Sequence, residues 1–242
     1  MTEIPLVGGD VNVVVRVDDT VRRPPEPPGV VALLQWYERV GFEGAPRYLG
    51  IDERGREMLT FVDGEPAFAP VPSGDEIVSA IGRLLRRAHD AQEGFARPDD
   101  AGWDVHVAGT ATGEVICHLD LFWTNVIFRD GLPVALIDWE LAAPCSRVLE
   151  VALAATYWAG LRTDDQLQSW GIPLERRGER LRILCDSYGL DDPQRSVLVD
   201  ELIQQRRGRL ERGDWRVANR ETVEANLRWL EEHRAELDTV LA

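Results

Sequence analysis

The sequence predicts an α+β protein in two parts: a small antiparallel β lobe with hinge over residues 1–64, and a larger, mainly helical lobe over residues 65–242. Three observations carry that expectation. Short β-branched runs separated by turn residues fill the first sixty positions, and apolar residues at helical spacing fill most of the remainder. A single hairpin signal, Asp130-Gly131, interrupts the helical part.

Each element follows from local chemistry. Val11 to Val17 and Thr20 to Arg23 flank the turn pair Asp18-Asp19 and read as a hairpin. Pro24, Pro25, Pro27 and Pro28 then forbid a strand or helix interior. Val31 to Val40 reads as a short helix stopped by Gly41, and Arg47 to Asp52 and Glu57 to Val62 as two more strands. After Asp63-Gly64 the period changes. Ser73 and Glu76 form a candidate capping box for a helix over Gly74 to Ala91, and Leu181 to Tyr188, Val197 to Leu210 and Thr222 to Leu241 repeat the helical pattern. Between them lie the hairpin strands Val126 to Phe128 and Pro133 to Ile137. Val151 to Leu161 is the longest apolar stretch, too short to span a bilayer and suited to a buried helix.

Composition excludes several function classes. The 242 residues carry 27 basic and 42 acidic side chains, a formal net charge of −15, and every basic residue is arginine. Without a lysine there can be no Schiff-base lysine, no lysine general base and no G-x-x-x-x-G-K-[ST] phosphate loop. The acidic balance argues against a nucleic-acid or anionic-membrane partner and is compatible with a cationic substrate. Cys117, Cys145 and Cys185 are odd in number and lack C-x-x-C spacing, so reduced thiols in a cytoplasm are expected rather than disulfides or zinc. The start, MTEIPLVGGD, has neither a basic n-region nor an apolar h-region, so export is not expected.

The chemistry concentrates in Val115 to Glu140, where Asp120, Asn125 and Asp138 sit among strongly apolar neighbours. If Asp130 and Gly131 form the turn, Arg129 opposes Leu132, Asn125 opposes Leu136, and Asp138 lies two residues beyond. The amide and the carboxylate then emerge at the open end of the hairpin, within reach of one metal ion. Asp120 lies in the loop that feeds the hairpin, so a second carboxylate stands beside them. Such a set suits phosphoryl transfer to an alcohol.

His118-x-Asp120-x-x-x-x-Asn125 followed by Ile137-Asp138-Trp139-Glu140 resembles the catalytic and metal-binding loops of the aminoglycoside phosphotransferase family, small-molecule kinases with a two-lobed protein-kinase-like fold. The resemblance runs along most of the chain, through the hinge segment Phe61-Val62-Asp63-Gly64-Glu65 and the helix ending Leu84-Leu85-Arg86-Arg87-Ala88-His89. It implies that Asp120 orients and deprotonates the acceptor hydroxyl, that His118 supports the same loop, and that Asn125 and Asp138 hold Mg²⁺. ATP or GTP would bind near Phe61 and Val62, with Gly8-Gly9 as the covering turn.

Arg23 stands where the family places a phosphate-binding lysine, with Arg22 as the second choice. A guanidinium suits that task because it can clamp phosphates bidentately. The lysine's usual glutamate partner has no clear counterpart, since Glu38 lies late in its helix and Glu26 in the proline run. Leu119 replaces the family's glycine, and Glu150 its helix aspartate. His89 and His106 read as structural or surface residues, and Trp123 and Trp139 as core. Acidic candidates for an acceptor pocket are Asp164-Asp165, Asp186, Asp200-Glu201 and Glu231-Glu232.

The expected activity is phosphate transfer to a hydroxyl of a small molecule by a monomer or homodimer. The alternative is a catalytically weak or silent nucleotide- or ligand-binding relative.

Overall fold

A five-stranded antiparallel sheet forms from the β-branched runs at the start of the chain. The computed structural model describes residues 2–6, 14–109, 112–213, 215 and 218–242. Its first strands are β1 (Ile4–Pro5), β2 (Val15–Val17), β3 (Thr20–Arg23), β4 (Tyr48–Ile51) and β5 (Glu57–Thr60), ordered β1-β2-β3-β5-β4. Gly8, Gly9 and the expected strand positions 11–13 lie outside the described residues. β1, only two residues long, left no periodicity to read.

α1 (Pro28–Val40) begins three residues before the expected Val31. Pro28 sits at the first helical position, where a missing N–H costs nothing, so the proline run ends in a helix start. Gly41 terminates it at φ 74° and returns its N–H to the Glu38 and Tyr37 carbonyls. Val30, Leu33, Leu34 and Tyr37 form its buried face.

The second part opens with β6 (Glu65–Pro66) and α2 (Asp75–Asp90). The N-cap of α2 is Gly74, with no side-chain cap bond, so the expected Ser73–Glu76 box does not form; Asp75 and Glu76 instead place negative charge in the first turn. There follow α3 (Val105–Ala108), β7 (Val115–Cys117), β8 (Val126–Arg129), β9 (Leu132–Leu136) and β10 (Ala143–Cys145). The helical lobe is completed by α4 (Arg147–Trp158), α5 (Asp164–Ser169), α6 (Arg177–Tyr188), α7 (Asp192–Arg212) and α8 (Arg220–Leu241). α4 is buried from Val148 to Trp158, a largely apolar run in which Glu150 and Thr156 are the polar members. No described helix is long and apolar enough to cross a membrane.

Two packing features position the site. β6 pairs with β8, which ties the segment after the sheet directly to the hairpin. Gly82 on α2 faces α6, where a Cβ would lie 2.1 Å from Ser187 Oγ and 2.8 Å from the Leu184 carbonyl; only a bare Cα allows this close approach. α2 thereby reaches the helical core, and Gln92 just beyond it hydrogen-bonds both backbone groups of Ile116 on β7.

Candidate active site

The hairpin departs from the expected register. Arg129 opposes Leu132 and Phe128 opposes Pro133, but Ile127 pairs with Ala135 and Val126 with Leu136. The extra residue in β9 is a bulge, and it slides Asn125 from Leu136 to Ile137, whose N–H donates to the Asn125 carbonyl at 2.9 Å. Asn125 therefore sits beside the residue preceding Asp138, rather than two residues away. Asp138 itself has left-handed backbone at φ 64°, which an aspartate tolerates.

Asp120 and Asn125 are joined directly. Asn125 Nδ2 donates to Asp120 Oδ2 at 2.9 Å and to the Asp120 carbonyl at 3.1 Å. The amide nitrogen is thereby committed to Asp120, while the Asn125 side chain lines a cavity of about 230 Å³. Asp120 Oδ1 is buried and accepts no hydrogen bond. Burial pushes the Asp120 carboxyl up to about 6; the Asp138 charge adds to the rise, while the Phe122 amide and Asn125 oppose it.

The loop carrying Asp120 is held from two sides. His118 lies 2.8 Å from the Ile137 carbonyl through Nε2 and receives the Asp120 N–H on Nδ1 at 3.3 Å. That network assigns the ring proton to Nε2. Burial pulls the His118 pKa down to about 4, so the ring is a neutral strut. Leu119 adopts φ 66°, a conformation that costs a non-glycine residue about 1–2 kcal/mol. Its N–H is held by both Glu150 carboxylate oxygens at 3.2 and 3.4 Å. Glu150 thus stabilises the turn that aims Asp120, and its longer side chain reaches this amide from α4.

Burial raises the Glu150 carboxyl to about 7, against the lowering effect of Cys117 and the Leu119 and His118 backbone. The folded value lies above the ordinary 4.5, so its contribution to stability is complete below that value and is lost as pH rises through about 7. The thermal midpoint is expected to fall between pH 5 and 8. Glu150→Gln, which cannot ionise, should show a shallower decline in a pH series of melting curves; equal slopes would remove Glu150 from this role. Asp120 titrates in the same sense, so the slope is reduced rather than abolished.

Arg23 ends β3 and lines the same cavity as Asn125 and Asp138. Its guanidinium lies 2.7 Å from Asp138 Oδ1, 2.9 Å from Glu140 Oε2 and 2.8 Å from Glu26 Oε1. Glu26, from the proline run, is therefore the partner that sequence order failed to supply. Its backbone N–H donates to Glu57 Oε2, which anchors the run to β5. Burial drives the Glu26 carboxyl up to about 8 although Arg23 opposes the shift, and Glu57, Asp138 and Glu140 reinforce it.

Arg22 points to the other face of β3, in an ion pair with Asp52 at 3.7 Å, and does not line the cavity. Phe61 and Val62 do line it, with Val21 and Leu59 adding an apolar floor. His89 is buried against the Tyr188 hydroxyl at 2.8 Å, whereas His106 is exposed. Trp139 packs against His118 and Tyr37, and Trp123 against Phe122, Tyr157 and Trp170. Most acidic candidates for an acceptor pocket are engaged in pairs of their own: Asp164 with Arg177, Asp186 with Arg195, Asp200 with Arg234, Glu231 with Arg207, and Glu201 with the Ser146 hydroxyl.

Comparison with known proteins relates this arrangement to an enzyme family. A family model described as the phosphotransferase enzyme family, APH, matches residues 100–184, the stretch containing Asp120, Asn125, Asp138 and Glu150. A trifolitoxin immunity protein from Rhizobium leguminosarum bv. trifolii is 39% identical over 208 residues, spanning 83% of this chain and 79% of the relative. The chain belongs to the aminoglycoside phosphotransferase family. Solved structures share the kinase-like fold of this phosphotransferase family member at low identity. An amicoumacin kinase, in complex with AMP-PNP, Ca²⁺ and Ami, superposes with a TM-score of 0.66 at 13% identity, covering 97% of this chain and 88% of that one. A choline/ethanolamine kinase family protein from Mesorhizobium loti gives 0.60 at 15% identity over 100% and 91%. An aminoglycoside 2'-phosphotransferase bound to GDP gives 0.54 at 14% identity over 98% and 93%.

For three side chains of the candidate site, sequence reasoning missed the contact that the structure shows. Glu26 and Glu140 meet Arg23 only through tertiary packing, although Glu140 lies two residues from Asp138. The role of Glu150 was hidden because its partner is a backbone amide, which has no sequence mark.

Proposed function

We propose that this protein transfers the γ-phosphate of ATP to a hydroxyl of a small molecule, with Asp120 as the general base. The observation that carries the reading is Asp120 itself: a buried carboxylate with one oxygen held by Asn125 and the other without a partner, next to a cavity shared by Arg23 and Asp138. Its pKa near 6 leaves it ionised at neutral pH yet basic enough to take a proton in the transition state.

Mg²⁺ suits the donor set, because Asn125 offers an amide oxygen and Asp138 a carboxylate that is 37% exposed. Held by Asn125 and Asp138, such an ion would supply neutralisation of the negative charge on the phosphates. The chain's own residues do the rest. Arg23 turns from its carboxylates toward the phosphates, Val21, Leu59 and Phe61 give the nucleotide an apolar wall, and Asp120 orients the acceptor hydroxyl and accepts its proton. The related immunity protein favours an antimicrobial compound as the acceptor.

A second reading, nucleotide binding without turnover, is favoured by the 2.7 Å contact between Arg23 and Asp138, which a cation would have to displace. Titration calorimetry with Mg-ATP, run beside γ-phosphate release over a panel of hydroxylated antibiotics and metabolites, separates the two. The kinase reading expects binding plus acceptor-dependent release; binding with no release over the panel supports the silent one.

A further inference from the structure

Like Arg180, which is 2% exposed and donates to the Pro173 carbonyl, Arg162 and Arg206 of the helical lobe are buried with no ion pair to a carboxylate among the described residues. Arg162 follows α4 and is 6% exposed; Arg206, on α7, is 5% exposed. Arg162 lies over the Tyr157 ring at 4.5 Å and the Trp170 ring at 4.9 Å, and its Nε is sealed without a hydrogen-bond partner. Arg206 donates to Gln205 Oε1, a neutral acceptor, at 2.8 Å. Other cationic residues of this lobe, such as Arg177, Arg195 and Arg234, are paired with carboxylates at 2.6–2.8 Å.

A guanidinium stays charged in a protein, and burying it without an anion is strongly unfavourable. Two such groups within each other's field compound the cost: burial pulls Arg206 down to about 9, and Arg162 contributes in the same direction. The aromatic faces under Arg162 recover part of that cost and hold its fork in place. They also fix its position relative to Asp120. Trp170 and Tyr157 pack on Phe122 and Trp123, the residues that immediately follow Asp120 and Leu121, at centroid distances of 4.4–6.4 Å. The Asp120 charge is felt at Arg162, but the two do not touch.

We propose that the acceptor carries an anionic group, a carboxylate or a phosphate, and that Arg162 and Arg206 bind it while Asp120 faces the reacting hydroxyl. The specificity is then opposite to that of a pocket for polycationic sugars, and the surface ion pairs of Asp164, Asp186, Asp200 and Glu231 play no part in it. The assignment of the bound anion as an acceptor rests on the kinase reading above; the presence of an oxyanion site does not.

The test uses wild type, Arg162→Met and Arg206→Met without nucleotide, melted in chloride, phosphate or succinate at constant ionic strength. Phosphate or succinate at tens of millimolar should raise the wild-type midpoint by roughly 2–4 °C, and both variants should lose most of that rise. In chloride Arg162→Met should melt no lower than wild type, because an uncompensated buried charge has been removed. The larger response identifies the preferred oxyanion. No rise with either anion, or an equal rise in Arg162→Met, overturns the proposal; the latter would place the anion elsewhere, for example at Arg23. Turnover confined to cationic acceptors also overturns it. An anion response that disappears in the variants, in a protein that neither binds Mg-ATP nor phosphorylates an anionic acceptor, would retain the site and refute the kinase reading alone.

Discussion

Asp120→Asn is expected to lower kcat by about 10²–10⁴-fold while leaving Mg-ATP affinity within a few-fold of wild type. Asparagine keeps the shape of the side chain and the contact with Asn125, but it cannot take a proton. The fold should not suffer. Burial already raises this carboxyl to about 6, so a neutral isostere removes an unfavourable buried charge at neutral pH and the variant should melt at or above the wild-type temperature. The pH profile gives an independent check. A base must be deprotonated to act, so wild-type kcat should rise through about pH 6 and level off above it, and the residual activity of the variant should lack that step. Calorimetry and steady-state kinetics on one preparation suffice. Unchanged kcat, or lost activity together with a lower melting temperature, would deny Asp120 its role.

Arg23→Met is expected to act on stability and on nucleotide binding together. Arg23 lies among Glu26, Asp138 and Glu140, whose carboxylate oxygens all lie within 4.8 Å of one another. Only the contact with Glu26 is buried on both sides, at 8% and 4% exposure, while Asp138 and Glu140 remain partly solvated. Screening of the outer pairs puts the loss at the low end for a broken buried cluster, about 2–3 kcal/mol, or a fall in melting temperature of roughly 4–12 °C. Mg²⁺ alone should restore more of that loss in the variant than it adds to wild type, because the carboxylates would have lost their internal counter-ion. The KM for ATP should also rise, since methionine cannot clamp a phosphate. A variant that melts like wild type, with unchanged KM, would show that Arg23 serves neither purpose.

These two side chains differ in how far sequence could define them. The place of Asp120 followed from spacing alone, because His118, Asp120 and Asn125 lie on one short loop whose geometry is local. Asn125 was placed at the correct end of the hairpin but one register position off. A bulge in β9 moved it, and Leu132 to Leu136 carries no glycine to mark one. For α2 the cap was misread because Ser73 and Glu76 have the right spacing, yet the chain enters the helix at Gly74. Arg23 was the first candidate, ahead of Arg22, because it stands where the family places a lysine and the chain has none, whereas Glu26 gave no clear sign of being its partner in the proline run. That run is stiff and extended, and this is how it holds a carboxylate against Arg23 before α1 begins.

By itself the sequence indicated the two-part order of the longer strands and helices, the buried character of α4, and Asp120, Asn125 and Asp138 as candidate site residues, since each depends on contacts between residues near in the chain or on apolar periodicity; the short strands β1, β6, β7 and β10 and the short helices α3 and α5 left no such mark. Tertiary structure alone decided which charges are neutralised. The meeting of Arg23 with Glu26, Asp138 and Glu140 brings together residues up to 117 positions apart, the hold of Glu150 on Leu119 spans 31, and only packing shows that Arg162 and Arg206 are buried without an ion pair among the described residues, whereas Arg177, Arg195 and Arg234 are paired. Charge is legible in a sequence; burial and pairing, which set its energetic consequence, arise only when the chain packs.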